Sequence, residues 1–264
     1  MRSAAVTLLI LSWFCCSAAF AAETIFNSTT AWSTEFSRLG GEAKTMAASP
    51  VQTYPVESLL VLGAAGLTFA FDRDIRSDLV STRGHTLDRA TDVGSFVGNP
   101  YLHLGVTAVA YGAGALTDSP RVLDLSTKVG EALVLTDGSA FILKEAVGRG
   151  RPGTGSTNDR FRPFSFKTDY DSLPSLHTAS SFAIAHVLSR ETDNLPAQIG
   201  YYTAATFVGF SRLYQDKHWA SDVILGAALG ELAGCAVTSF HGKKVAVAPT
   251  VSGGAPGVAV IGQF

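Results

Sequence analysis

The apolar positions of this chain fall in long runs and not in two-residue alternation. Seven runs carry the pattern: Val56 to Phe71, Tyr101 to Leu116, Val122 to Leu135, Ser139 to Val147, Ser175 to Leu188, Ala197 to Leu213 and Ser221 to Phe240. They exceed ordinary strand length and place Ala, Leu and Gly at helical spacing, which predicts an all-α helical bundle. Most runs span about 14 to 18 residues and are interrupted by Glu57, Asp137, Glu231 or the Tyr201–Tyr202 pair, whereas a membrane-crossing helix needs about 20 apolar residues. The pattern therefore favours a buried core over a bilayer span. A membrane-embedded bundle stays open as the alternative, because a Gly-rich helix such as "VILGAALGELAGCA" also suits close packing in lipid.

Both ends depart from this pattern. Arg2, an apolar stretch from Ala4 to Phe14 and the small residues up to Ala19 and Ala21 form a secretory signal peptide over residues 1–21, so export to the periplasm is expected. Residues 22–55 are polar, rich in Ser and Thr, and carry Pro50 and Pro55, which reads as a surface arm with at most one short helix. The helical domain is expected over 56–240. In the tail, 241–264, "KKVAVAPTVSGGAPGVAVIGQF" alternates apolar residues around "GGAPG" and predicts a C-terminal β-hairpin packed on the bundle.

Composition narrows the function. Of 264 residues, 47% are hydrophobic and 16% charged, enough to bury a large core and too apolar for a disordered chain. The net charge of −2 argues against a nucleic-acid partner, which would need many phosphate contacts. Cys15 and Cys16 leave with the signal peptide, so Cys235 stands alone and no intramolecular disulfide can form. Neither Cys235 nor the scattered histidines have zinc-ligand spacing, and no metal or other cofactor is expected.

Against so few charges, three polar clusters stand out. In "SRLYQDKHWASD", His218 and Asp222 lie four apart and share a helix face, where a carboxylate can hold an imidazole in one tautomer. In "KEAVGRGRP", Lys144 and Arg151 stand seven apart at a helix end closed by Pro152; Arg149 is accounted for by the helix macrodipole, Lys144 is not. In "YDSLPSLHTASS", Ser175 and His177 follow Pro174 as a helix begins, so backbone N–H groups around Leu176 point at whatever sits on that N-terminus.

Lys144, six residues, Arg151–Pro152; Pro174–Ser175 and His177; Ser211–Arg212, five residues, His218, three residues, Asp222: in order and spacing this resembles the three-part signature of the type 2 phosphatidic acid phosphatase superfamily. Bacterial class A acid phosphatases and vanadium haloperoxidases belong to the same superfamily. One position departs, since Leu176 stands where the family usually has Gly. The resemblance implies that His218 is a nucleophile forming a phosphohistidine, that Asp222 orients and activates it, and that His177 is the general acid and then base. It further implies that Lys144, Arg151 and Arg212 hold the phosphoryl oxygens, with Ser175 and the Leu176 amide completing the cradle. The function it implies is a metal-independent, acid phosphatase-like hydrolase of phosphate monoesters or diphosphates, with a phosphorylated small molecule or lipid as substrate. Two alternatives share the site: a membrane lipid phosphatase acting on phosphatidate, a polyprenyl diphosphate or lipid A, and a haloperoxidase whose cofactor would be vanadate. The oligomeric state is left open.

Overall fold

Helices begin where the sequence supplies a cap or a proline. The computed structural model describes Thr24, residues 28–242, and the backbone of 245–252 and 255–262. Ser28 Oγ accepts from the Ala31 N–H to start α1 (Thr29–Gln52), and Pro55 opens α2 (Pro55–Ser81). After α3 (His85–Val97), the Asn99 side chain accepts from Tyr101 and Leu102 N–H to start α4 (Pro100–Leu116), and Pro120 opens α5 (Pro120–Val147). A loop with two short 3-10 turns leads to α6 (Leu176–Arg190); α7 (Leu195–Tyr214), capped by Asn194, and α8 (Ala220–Gly242) complete the bundle.

The all-α expectation holds across these eight helices, with three revisions. The runs Val122–Leu135 and Ser139–Val147 are one helix of 28 residues, α2 runs on past Phe71 to 27 residues, and α8 has 23, so the short lengths that favoured a buried core are not the observed ones. Polar residues inside these helices do not break them: Asp72 of α2 is buried against Arg149, and Asp137 sits within α5 with neither carboxylate oxygen hydrogen-bonded. The helix α3, mostly polar, had no apolar run to reveal it. The 22–55 arm is no surface appendage, since α1 packs on α8 and α2 and sends Met46 into the core beside Val129, Leu133, Val187 and Val237.

The helix α6 is central, packed against α8, α7, α5 and α4. Close approach of α6 and α8 depends on glycine: a Cβ at Gly230 would lie 2.2 Å from the Ala179 carbonyl oxygen, and one at Gly226 would lie 2.6 Å from that of Ser175. This contact sets the start of α6 beside the start of α8, where Ser175 N–H donates to the Asp222 carbonyl at 3.0 Å.

The predicted signal peptide lies outside the described residues. At the other end the backbone of Val245–Ser252 (β1) pairs antiparallel with Ala255–Gly262 (β2), but the side chains there are outside the described residues, so the expected hairpin packed on the bundle gains no support. The outer surface is strongly apolar: on α2 alone Leu59, Leu60, Leu62, Leu67 and Phe71 are exposed, and only 11% of its most apolar window is buried. By length and composition α2 and α8 could each cross a membrane.

Candidate active site

The three polar clusters, far apart in sequence, meet at one end of the bundle. Lys144 comes from the last turn of α5, Arg151 from the loop behind it, His177 from the first turn of α6, Arg212 from the last turn of α7, and His218 from the turn before α8. Gly148 makes the exit from α5 possible. Its φ of +61° is left-handed, and a Cβ there would sit 1.9 Å from the Arg162 carbonyl oxygen.

His218 is almost fully buried, and its Nδ1 lies 2.7 Å from the Ser172 carbonyl oxygen. A carbonyl can only accept, so Nδ1 carries the proton and Nε2 keeps its lone pair. Burial first, and then the charges of Lys144, Arg151 and Arg212, push the imidazole well below its ordinary value, against a smaller opposing effect of the Ser172 bond. The ring is therefore neutral and nucleophilic over the physiological range. Burial first, and then the charges of Arg212, Arg151, His103 and Lys144, push the His177 imidazole down to about 3, which places both histidines at one cationic focus.

Asp222 does not hold His218 as the i, i+4 spacing suggested. Its Oδ2 is 3.9 Å from Nδ1, too long for a hydrogen bond. The carboxylate instead accepts from Ser172 Oγ at 2.6 Å and from Trp219 N–H at 2.9 Å, gripping the two segments that frame the imidazole. It acts as a positioning residue, with its charge nearby to support an imidazolium.

Arg149, which the sequence reading accounted for by the helix macrodipole, is instead the largest fully enclosed side chain here. It is completely buried and donates to Asp222 Oδ1 at 2.5 Å, Asp72 Oδ2 at 2.7 Å, Ser221 Oγ at 2.7 Å and the Asn158 carbonyl at 2.8 Å. Asp72 closes the network by accepting from Ser221 N–H and Oγ. The one available signal was a pair of aspartates, Asp72 and Asp74, interrupting an apolar helix.

The cations that would meet a phosphate are held by replaceable partners. Arg151 Nε donates to Asp171 Oδ1 at 2.5 Å and to the Thr168 carbonyl at 3.0 Å, and Lys144 donates to the Asp171 carbonyl. Burial acts to raise the Asp171 pKa, but the Arg151 bond and the charges of Lys144 and Arg151 outweigh it and leave it lowered, so this carboxylate is an anion at the place a phosphate would occupy. Arg212 Nη1 donates to Ser95 Oγ at 2.9 Å, while its buried Nε has no partner. Asp171, Ser172 and Ser95 were not anticipated; Asp171 and Ser172 sit inside "YDSLPSLH", just ahead of the motif. Leu176 is the first residue of α6, and the N–H groups of Leu176, His177 and Thr178 precede the first intrahelical bond, from Ala179 N–H to the Ser175 carbonyl. Ser175 itself is enclosed, its hydroxyl accepting from Thr178 Oγ1 at 2.9 Å, so it pins the helix start and is not open to the site.

Residues 126–246 match the PAP2 superfamily, a span that takes in every one of these signature positions. Through this segment, the chain belongs to the PAP2 superfamily. The lipid A 1-phosphatase of Porphyromonas gingivalis is 30% identical over 187 residues, covering 70% of this chain and 38% of that protein, so the chain spans well under half the length of this relative. Two solved structures are similar: a transmembrane PAP2 type phosphatidylglycerolphosphate phosphatase from Bacillus subtilis (22% identity, TM-score 0.49, covering 78% of this chain and 95% of that one) and Aquifex aeolicus LpxE (20% identity, TM-score 0.47, 63% and 93%). Within the PAP2 segment, the arrangement of one unprotonated imidazole nitrogen, a second histidine, three cations and a helix N-terminus is suited to displacement at phosphorus.

Proposed function

We propose that this chain is a membrane-embedded phosphatase that removes phosphate from a lipid. The observation that carries the chemistry is the neutral His218, its Nε2 free, set among Lys144, Arg151 and Arg212. Nε2 attacks phosphorus and forms an N–P bond as the P–O bond to the leaving group breaks. His177, which takes up a proton once the bound phosphate dianion offsets the cations that depress it, gives that proton to the departing alkoxide, leaving a phosphohistidine. The same imidazole, now unprotonated, takes a proton from water; the water oxygen attacks phosphorus, the N–P bond breaks, and inorganic phosphate departs. Lys144, Arg151, Arg212 and the α6 amides stabilise the equatorial oxygens in both steps, so the chemistry needs no metal.

The lipid reading rests on the exterior. Many Leu, Val and Phe side chains are exposed on α2, α4 and α5, as a surface facing lipid requires, and the P. gingivalis relative is named for a lipid substrate. Against the soluble reading drawn from short apolar runs stand α2 and α8, of 27 and 23 residues, each long and apolar enough to cross a membrane. The C-terminal segment is read as a hairpin outside the catalytic bundle.

The test is single-turnover phosphorylation in detergent micelles, comparing a phosphatidate with p-nitrophenyl phosphate. His218→Ala should abolish phosphoenzyme with both substrates. His177→Ala should slow the alkyl ester by about a hundred- to ten-thousand-fold and spare the nitrophenyl ester, whose leaving group hardly needs a proton. Equal slowing of both would remove His177 from the acid role, and bromide oxidation with added vanadate and peroxide would favour the haloperoxidase alternative.

A further inference from the structure

At the opposite end of α8 from the phosphate site, three ionisable side chains from three helices converge on one buried spot. Glu42 of α1 is completely buried, and neither of its carboxylate oxygens has a hydrogen-bond partner. Glu131 of α5 is 5% exposed; Arg38 Nε occupies its Oε1 at 2.5 Å, leaving Oε2 turned to His241 Nε2 at 2.6 Å. His241, in the last turn of α8, also lies 3.6 Å from Glu42 Oε1. The three candidate ligand atoms all fall within 4.8 Å of one another.

We propose that Glu42, Glu131 and His241 bind a divalent transition-metal cation that clamps α1 onto α5 and α8. A single imidazole proton on Nε2 can satisfy Glu131 or Glu42 but not both, and a buried carboxylate with two empty oxygens is strongly disfavoured. A dication answers all three groups at once. Two carboxylate oxygens and one imidazole nitrogen are a donor set for Zn²⁺, Mn²⁺ or Fe²⁺, harder than a thiolate site and softer than an all-oxygen one. Ligand atoms around a tetrahedral zinc stand about 3.3 Å apart, from bond lengths near 2.0–2.1 Å. The separations of 2.6 and 3.6 Å bracket that value, so small rotamer shifts suffice.

The surrounding charges are consistent with this. Arg38 donates to Glu131 and to Glu35 of its own helix and makes no hydrogen bond to Glu42. A cavity of about 480 Å³ is lined by Ser33, Thr34, Ser37, Arg38 and Phe240; Arg38 bonds Glu131, and Phe240 precedes His241 in the chain. The site is separate from catalysis: Asp222 and His241 are 19 positions apart along α8, about 28 Å at the helical rise. Its role is to fix α1, a largely polar helix, onto α5 and α8.

The test uses the full chain in detergent, stripped with a chelator and then titrated with Zn²⁺ or Mn²⁺. Metal content after gel filtration should be one equivalent per chain, and the thermal transition should rise with metal concentration. Glu42→Gln and His241→Ala should each lose the bound equivalent and the metal-dependent rise. The metal-free transition of Glu42→Gln should match or exceed that of the stripped wild type, because the uncompensated carboxylate is gone. Initial phosphatase rates well below the transition should be equal with and without metal. Absence of binding by the wild type, or an equivalent retained in both variants, would overturn the proposal. The second value would direct attention to the His186, Glu231 and Cys235 cluster instead. Because metal content and unfolding do not depend on turnover, the result stands whether or not the phosphatase reading does.

Discussion

At the residue scale, the site depends on how each charge is compensated. Arg149 is fully enclosed between two fully enclosed carboxylates, Asp72 and Asp222. Removing it leaves both without their cation, so Arg149→Met should lower unfolding stability by about 3–5 kcal/mol, measured by denaturant titration in micelles. A loss below about 1 kcal/mol would mean the network is not formed. The cations that face His218 have a different effect, on its titration. Burial and then the charges of Lys144, Arg151 and Arg212 depress that imidazole, and protonated it cannot attack. Arg212→Gln removes one of the depressing charges, so the acid limb of the single-turnover phosphorylation rate should move to higher pH even as the rate itself falls. An unmoved limb would assign it to another group. Leu176 bears less on the chemistry than its departure from the family pattern suggested, because it occupies an ordinary first helical position and offers its N–H as glycine would.

At the element scale, the loop between α5 and α6 is where the fold becomes a site. It carries Arg149, Arg151, Asp171 and Ser172, and its direction is set at Gly148, whose left-handed backbone would drive any Cβ into Arg162. Gly148→Ala should therefore cost more than the ~1 kcal/mol of an ordinary left-handed alanine, and should reduce kcat because Arg149 and Arg151 move with the loop. A thermal transition and kcat within error of wild type would show that the loop is placed by other contacts. The close seating of α6 on α8, through Gly226 and Gly230, plays the complementary part by putting the N-termini of the two helices side by side. His177 and Asp222 ride on those two ends.

At the scale of the whole molecule, large apolar side chains crowd the exterior as well as filling the core. Large hydrophobics face outward on α2, α4 and α5, while Arg149, Asp72, Asp222 and Glu42 are inside. If this exterior meets lipid, the expressed chain should stay with membranes through a sodium carbonate wash and be released only by detergent. Recovery of active protein in the wash without detergent would restore the soluble reading.

Helical class and the residues of the phosphate site were legible in the sequence, because both are local signals: apolar spacing along one helix, and short motifs whose members lie within a dozen residues. Lys144, Arg151, His177, Arg212, His218 and Asp222 could be named this way, and the structure brings them to one end of the bundle. Partnership between distant segments was not legible. Nothing near Arg149 in the chain announces Asp72, which lies 77 residues away, and nothing near Glu131 announces His241, 110 residues away. Helix length was misjudged because a single charge does not by itself end a helix: Asp72 is taken up by Arg149, and Asp137 stays within α5 with neither carboxylate oxygen bonded. Which carboxylate grips which segment, which cation is buried and which waits for phosphate, are decided by packing, since the energy of a buried charge depends on what surrounds it in space and not along the chain.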